Sequence, residues 1–444
     1  MLLSKLHNAY SDARLYINNT FWILADKLLM MGITFLVMVF VARYLGPEQY
    51  GLLAYAITLA SILSVAGHMG LSGLVIREVV KKPESEAITL GTAFVLKLAG
   101  VIVGYIALLV YALLYEGTSG TAFYLILIAG SMILFKPFDV IEFRFHAYVQ
   151  AKYVSLARLI SLCISSAVNV AFVIAGASLV FFAFANVLQA ILGAFFLVVI
   201  FYYQSRQSIG QWRFNGQRAR ELFSQGWIVY LGTFFAIIYM KIDQIMLRWL
   251  SSMDELGQYA VAAQLSEAWY FLPAAIVTTV FPKLIKLRQQ NEQVFNQRLQ
   301  QLFDLLFILA FIVAIIMTFF AEWFVVLFFG VEFAAAASIL IVHIWAALFV
   351  FMRAAFSKWI LIENVLIFSL ITQGLGAVVN VFLNLLLIPE YGGMGAAYAT
   401  VISYITASYF SLLIYAKTRK IFWMMTLAIV SPVRYLRTIR GLAR

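Results

Sequence analysis

Charged side chains recur inside long apolar stretches of this chain, where a lipid environment would exclude them. Asp26 and Lys27 lie in one stretch, Lys97 in a second, Lys136 in a third, Arg158 in a fourth, Lys241 with Asp243 in a fifth, Glu267 in a sixth and Arg353 in a seventh. An ionised side chain at bilayer depth costs roughly 2.5–3.5 kcal/mol on insertion scales unless it meets a wet cavity or a partner. Such residues therefore imply a polar path through the interior, and the excess of cations implies an anionic cargo.

The cations divide by depth. Lys27 and Lys97 sit about nine residues inside the cytoplasmic ends of their segments, which at 1.5 Å per residue is about 14 Å, near the midplane. Lys136 is shallower, Arg158 and Arg353 lie about one turn inside the boundary, and Lys241 is deep from the cytoplasm and nearer the outside. These six residues are the expected cationic lining. A lysine near a helix end also snorkels to the interface, the competing expectation for the shallower ones. Asp243, Glu267 and Asp26 are the expected ion-coupling or gating carboxylates. For Asp243 the alternative is a helix-end charge near the outer interface. Pro273, six residues after Glu267, removes a backbone donor and frees carbonyls near a cavity. Asp139 and Glu142 are read as structural partners of Lys136, with Asp139 one turn away. His68 and His343 are read as packing residues.

Enzyme chemistry finds no support. His7, His68, His146 and His343 are far apart, and no His/Cys/Asp set has metal-ligand spacing. No serine or cysteine has an evident base, and no phosphate-binding G-x-x-x-x-G-K-[ST] loop occurs. The single cysteine, Cys163, excludes an internal disulfide framework and is expected to be a small buried apolar residue. No cleavable signal is recognised at the N-terminus.

The elements that position these residues are membrane helices. Of 444 residues, 64% are hydrophobic and 11% charged, against about 45–50% and about 25% in soluble domains. The apolar runs are about 20 residues long, as helical spans require. About twelve are predicted: 18–43, 50–76, 88–114, 121–143, 153–175, 179–203, 223–248, 256–282, 302–328, 334–358, 365–388 and 394–416. A shorter piece, 421–433, reads as an interfacial helix or partial span. With both termini placed in the cytoplasm, Lys and Arg gather on the inner loops and acidic residues on the outer ones. The net charge of +11 is therefore a topology signal, and no nucleic-acid partner is expected. The longest polar stretches, 204–222 and 284–300, leave no room for a soluble catalytic domain.

The chain echoes itself. Ala13-Arg14 recurs as Ala219-Arg220, Glu48-Gln49-Tyr50-Gly51 as Asp254-Glu255-Leu256-Gly257, and Val168-Asn169-Val170 as Val379-Asn380-Val381. These repeats suggest a six-helix half at 1–203, a basic cytoplasmic linker at 204–222, a second six-helix half at 223–416 and a basic tail at 417–444. Repeated halves are a common transporter plan.

Several stretches carry a family resemblance: Ala42-Arg43-Tyr44-Leu45-Gly46-Pro47-Glu48-Gln49-Tyr50-Gly51, then Lys241-Ile242-Asp243-Gln244-Ile245, and Asn380-Val381-Phe382-Leu383-Asn384 through Ile388-Pro389-Glu390-Tyr391-Gly392. The sequence resembles the Wzx-type lipid-linked oligosaccharide flippases, the polysaccharide-export branch of the multidrug/oligosaccharidyl-lipid/polysaccharide exporter superfamily. The resemblance implies an all-α polytopic fold with two six-helix bundles around a central cationic cavity. It further implies transfer of undecaprenyl-pyrophosphate-linked glycan repeat units, such as O-antigen units, from the cytoplasmic to the periplasmic leaflet of the bacterial inner membrane. Alternating access would be driven by an ion gradient, with proton or sodium as coupling ion and no cofactor. The expected protein is a monomer, and its expected partners are the lipid-linked oligosaccharide, membrane lipids and polysaccharide polymerase or ligase machinery. The alternative is an ion-coupled multidrug exporter of the same superfamily, which for organic cations would favour an acidic cavity. A membrane glycan polymerase or ligase fits less well, because the outer loops are small.

Overall fold

The computed structural model describes residues 2–205 and 209–434. Regular structure among them is entirely helical. The first elements are α1 (Leu2–Ser64), α2 (Ser72–Lys81), α3 (Glu86–Tyr115), α4 (Thr121–Ser131), α5 (Val140–Ala147), α6 (Ala151–Ile174) and α7 (Leu179–Ser205). There follow α8 (Gly216–Leu250), α9 (Met253–Glu267), α10 (Phe271–Gln290), α11 (Glu292–Phe329), α12 (Ala334–His343), α13 (Ala347–Ile362), α14 (Leu366–Ser408) and α15 (Arg419–Ile429). Only helices satisfy their own backbone groups in lipid without closing into a barrel, and large apolar side chains such as Phe319 and Leu114 point outward accordingly.

Ten segments among the described residues are long and apolar enough to cross a membrane. Two of them, Asp26–Lys81 and Ile367–Leu413, are each broken by a glycine outside helical geometry, Gly46 (φ 70°) and Gly392 (φ 53°). That positive φ suits glycine, and Pro47 and Pro389 beside the breaks withhold a backbone donor. Each long segment thus supplies two spans, in agreement with the twelve predicted.

Four other interruptions follow the repeat. Short 3₁₀ turns occur at Val65–Gly67, Ala268–Tyr270 and Ile344–Ala346, and a longer 3₁₀ stretch at Met132–Asp139. They fall in the second, fourth, eighth and tenth spans, at matching places in the two halves. Glu267 immediately precedes one of them, and Pro273 sits just beyond it.

The chain divides into two compact units, Met1–Leu45 with Leu52–Phe234, and Gly46–Gly51 with Phe235–Arg444. The division falls inside α8 and not in the predicted linker 204–222, of which 206–208 lie outside the described residues. The reason is local packing. Trp212 lies against Phe94 and Phe201, and the Arg213 N–H donates to Ala87 O at 3.3 Å. The Asn215 N–H donates to Thr92 Oγ1 at 3.1 Å. The start of α8 is then held by Arg218, which pairs with Glu78 of α2 at 2.7 Å.

In the second unit, two of the echoed motifs pack on each other. A Cβ on Gly51 would lie 2.1 Å from Met253 O, and one on Gly257 would lie 2.0 Å from Pro47 O. Both motifs keep glycine because backbone meets backbone there. The piece expected as an interfacial helix or partial span forms α15, which buries Ile421, Met425 and Ala428 in a core shared with Phe303, Phe351 and Phe356. Arg434 beyond it pairs with buried Asp304 of α11. Residues 435–444 of the predicted tail lie outside the described residues.

Candidate functional site

The fourth span supplies one wall of a cavity in the first unit. Pro137 stands in the middle of Met132–Asp139 and cannot donate a helical hydrogen bond, and the whole stretch is wound as 3₁₀. Runs of 3₁₀ longer than three or four residues are uncommon and often mark functional hinges. This one carries Lys136 and Asp139 to a cavity of about 470 Å³, whose wall also includes Glu142 of α5, Arg158 of α6 and Asn186 and Gln189 of α7. Ser61 and Ser64 of α1 complete its polar surface.

The charges on this wall are paired. Arg158 grips Glu142 through two bonds, Nε to Oε1 at 3.0 Å and Nη2 to Oε2 at 2.5 Å. Asp139 Oδ2 sits 4.0 Å from Lys136 Nζ and 3.7 Å from Lys97 Nζ. The side chains of Arg158 and Lys136 are 45% and 42% exposed, so both remain available to a ligand. Lys97 is different. It is only 1% exposed, lies over the Phe143 ring, and stands behind Asp139 instead of on the cavity wall. Expected as lining, it is placed to hold Asp139. Asp26 is buried beside Arg158 and Ser155. Lys27, next to it in sequence, is exposed. Cys163, expected to be buried, is exposed on α6.

The second unit builds a site of opposite character. Asp243 of α8 is 1% exposed. Its Oδ2 accepts from the hydroxyls of Tyr259 (α9) and Thr400 (α14), each at 2.6 Å, and its Oδ1 accepts from Asn384 Nδ2 at 2.5 Å. Asn384 also donates to Asn380 Oδ1 at 3.1 Å. The Asn384 Oδ1 is buried without a hydrogen-bond partner among the described residues. These oxygens, with Ala396 O 2.9 Å from the Thr400 hydroxyl, form a hard-donor set able to hold a small cation or a proton. The His343 ring lies edge-on to Tyr259, with centroids 5.8 Å apart.

Lys241 does not share this site. Two positions along a helix turn a side chain by roughly 200°, and Lys241 instead pairs with Glu267 at 2.8 Å. Arg353 is engaged elsewhere in the same unit, donating to Ala407 O at 2.9 Å and Thr372 Oγ1 at 3.2 Å. Its contact with a carbonyl in the last turn of α14 is a helix-capping contact. Among the described residues, no group of three or more His, Cys, Asp or Glu side chains converges as a metal site.

The predicted residues therefore separate into groups: Lys136 and Arg158 on the wall of the first-unit cavity with Lys97 and Asp26 buried behind their partners, Lys27 exposed and off that wall, Asp243 in the sealed cluster, Lys241 with Glu267, and Arg353 apart. Asn186 and Gln189 escaped the sequence reading, although two amides three residues apart in an apolar helix share a face and were a usable signal. Thr400 and Tyr259 gave no comparable signal, because their role depends on Asp243 far away in sequence.

Several solved structures share this fold. An inward-facing multidrug resistance MATE family transporter of the MOP superfamily matches with TM-score 0.69 at 12% identity, covering 92% of this chain and 99% of that one. The lipid II flippase MurJ in an inward closed conformation matches with TM-score 0.72 at 17% identity, covering 95% and 93%. A MOP superfamily transporter from Pyrococcus furiosus, whose binding pocket is described as reversed in polarity, matches with TM-score 0.60 at 14% identity, covering 93% and 96%. At these identities the likeness shows the fold alone. A comparison with curated protein sequences finds no match. The family assignment comes from residues 16–288, well over half of the chain, which match the family described as polysaccharide biosynthesis protein, and the chain belongs to that family.

Proposed function

We propose that this protein flips undecaprenyl-pyrophosphate-linked glycan repeat units from the cytoplasmic to the periplasmic leaflet of the bacterial inner membrane, by alternating access coupled to a proton or sodium gradient. The observation that carries the reading is the first-unit cavity, where exposed Arg158 and Lys136 stand opposite neutral hydrogen-bonding side chains. A polyprenyl tail can remain in lipid. The diphosphate and sugars cannot, because each polar group moved into hydrocarbon without a partner costs several kcal/mol. Arginine takes two phosphate oxygens through its fork, and lysine adds a mobile point charge. Asn186, Gln189, Ser61 and Ser64 offer donors and acceptors to the first sugar.

Energy enters through the sealed cluster in the second unit. A proton or a sodium ion bound at Asp243 neutralises a carboxylate that Tyr259, Thr400 and Asn384 otherwise satisfy. Those three side chains must then rearrange, and they stand on two helices, α9 and α14. Glu267 and Asp26 are secondary coupling candidates, each beside a cation, Lys241 and Arg158. Both termini are cytoplasmic in this reading.

The test is reconstitution in proteoliposomes with a fluorescent undecaprenyl-pyrophosphate-linked glycan. Leaflet transfer is expected in the presence of an ion gradient, and its loss in Arg158→Ala. Transfer at the protein-free rate, or transfer indifferent to every imposed gradient, contradicts the proposal.

A further inference from the structure

The cavity wall holds two carboxylates that a receptor for an anion has no evident need of. Glu142 occupies the Nε–Nη2 edge of Arg158, in the geometry by which a guanidinium takes two phosphate oxygens. Asp139 likewise stands between Lys97 and Lys136. Every cation exposed on this wall is already engaged by a built-in anion.

We propose that Glu142 is a displaceable counter-anion, which holds Arg158 while the cavity is empty and surrenders it, taking up a proton, when a diphosphate binds. This rests on the reading of the cavity as the headgroup site and adds how that site is controlled. The two carboxylates differ in what displacement leaves them. When Lys136 turns to the ligand, Asp139 keeps Lys97, which is buried behind it. Glu142 has its ion pair with Arg158, and its side chain is largely buried. A displaced Glu142 would be an unpaired charge in a poorly hydrated wall, next to two phosphates of the same sign. A proton from cytosolic water removes both penalties. The resulting carboxylic acid then donates a hydrogen bond to the ligand where the carboxylate could only accept.

The surroundings favour one titrating group. Arg158 faces Glu142 from α6, Lys136 and Asp139 face it from the 3₁₀ stretch, and Lys97 faces it from α3, while Asp26 of α1 and His146 of α5 lie near Arg158. Asn186 and Gln189 of α7 are neutral, and α2 presents Val75 and Val79 to the packing around α5. Among the described residues, Glu142 is the group bonded directly to Arg158, and so the one whose ion pair the cargo breaks. Cargo affinity is thereby linked to pH. Where binding takes up a proton, affinity falls as pH rises, by up to about tenfold per pH unit for one proton.

The probe is a short-chain prenyl diphosphate N-acetylglucosamine, a diphosphate diester whose own charge is constant across the range used. Binding to the full-length protein in lipid nanodiscs is followed calorimetrically between about pH 6 and about pH 8, in pairs of buffers that differ in ionisation enthalpy. About one proton should be taken up per probe bound. Glu142→Gln should bind at the low-pH affinity of the unmodified protein at every pH and take up none. Heats independent of buffer in the unmodified protein overturn the counter-anion, and so does a Glu142→Gln variant that binds as poorly as Arg158→Ala, since Glu142 is then a strut. If Glu142→Gln does not accumulate, His146→Gln decides: about one proton still taken up per probe keeps the assignment to Glu142, and none overturns it. Binding unchanged in Arg158→Ala removes the headgroup site, and the counter-anion with it. Binding lost in Arg158→Ala without proton uptake in the unmodified protein removes the counter-anion only.

Discussion

The two polar sites of this protein answer different physical problems. In the first unit, charged groups are paired with charged groups and the cations stay nearly half exposed on a cavity wall. In the second, one carboxylate is sealed from solvent and satisfied by neutral hydroxyl and amide donors. An ion pair that borders a cavity can be exchanged for a ligand, because the incoming anion takes the exposed cation and a proton can satisfy the buried carboxylate. A buried carboxylate held by neutral donors has no such exchange available. It responds to a proton or a small cation and to little else. Openness therefore suits a large anionic headgroup, and closure suits a coupling ion.

The largest expected effect comes from breaking the sealed site. In Asp243→Ala, the Tyr259 and Thr400 hydroxyls and the Asn384 amide lose a buried acceptor, at about 1–3 kcal/mol for each group left unsatisfied. Transport should be abolished and the melting temperature should fall by several degrees, read by leaflet transfer and by thermal unfolding in detergent. Arg158→Ala should separate these two readouts. Leaflet transfer should fall by about a hundredfold or more, while the melting temperature should fall less than in Asp243→Ala, because Arg158 is nearly half exposed and the buried Glu142 it leaves can take up a proton. A variant equally damaged in both would erase the contrast between the sites.

Lys97→Met sharpens the contrast within the cavity. With Lys97 gone, Asp139 relies on Lys136 alone and draws it away from the ligand. A transport loss of about tenfold, the equivalent of about 1.4 kcal/mol, is expected with normal accumulation, and full activity would show that Asp139 needs no second cation. Asn186→Ala should have the smallest effect, about fivefold in apparent cargo affinity, the worth of one hydrogen bond of about 1 kcal/mol. Its effect should depend on the first sugar of the cargo, whereas that of Arg158→Ala should not.

Much of the scaffold could be read from the residues alone. Hydropathy located the spans, and Gly46-Pro47 and Pro389 through Gly392 marked the breaks that the backbone makes. The pairing of Gly51 with Gly257 gives the internal echo a contact, because the two motifs are small where they touch. The extent of the first half was less legible. Trp212 and Asn215 lie in a stretch whose composition looks like a linker, but their packing on α3 holds the start of α8 to the first unit.

At the sites, the sequence by itself determined which segments enter the membrane and which carry a charge into it, because the cost of placing a residue in lipid belongs largely to that residue. Tertiary structure alone decided what each charge does there. Lys97 and Lys136 have the same chemistry, yet one is buried behind Asp139 and the other is open to the cavity. Arg158 meets Glu142 across 16 positions and Asp243 meets Thr400 across 157. Such partnerships depend on which faces of separate helices come together, and a single helix does not encode that.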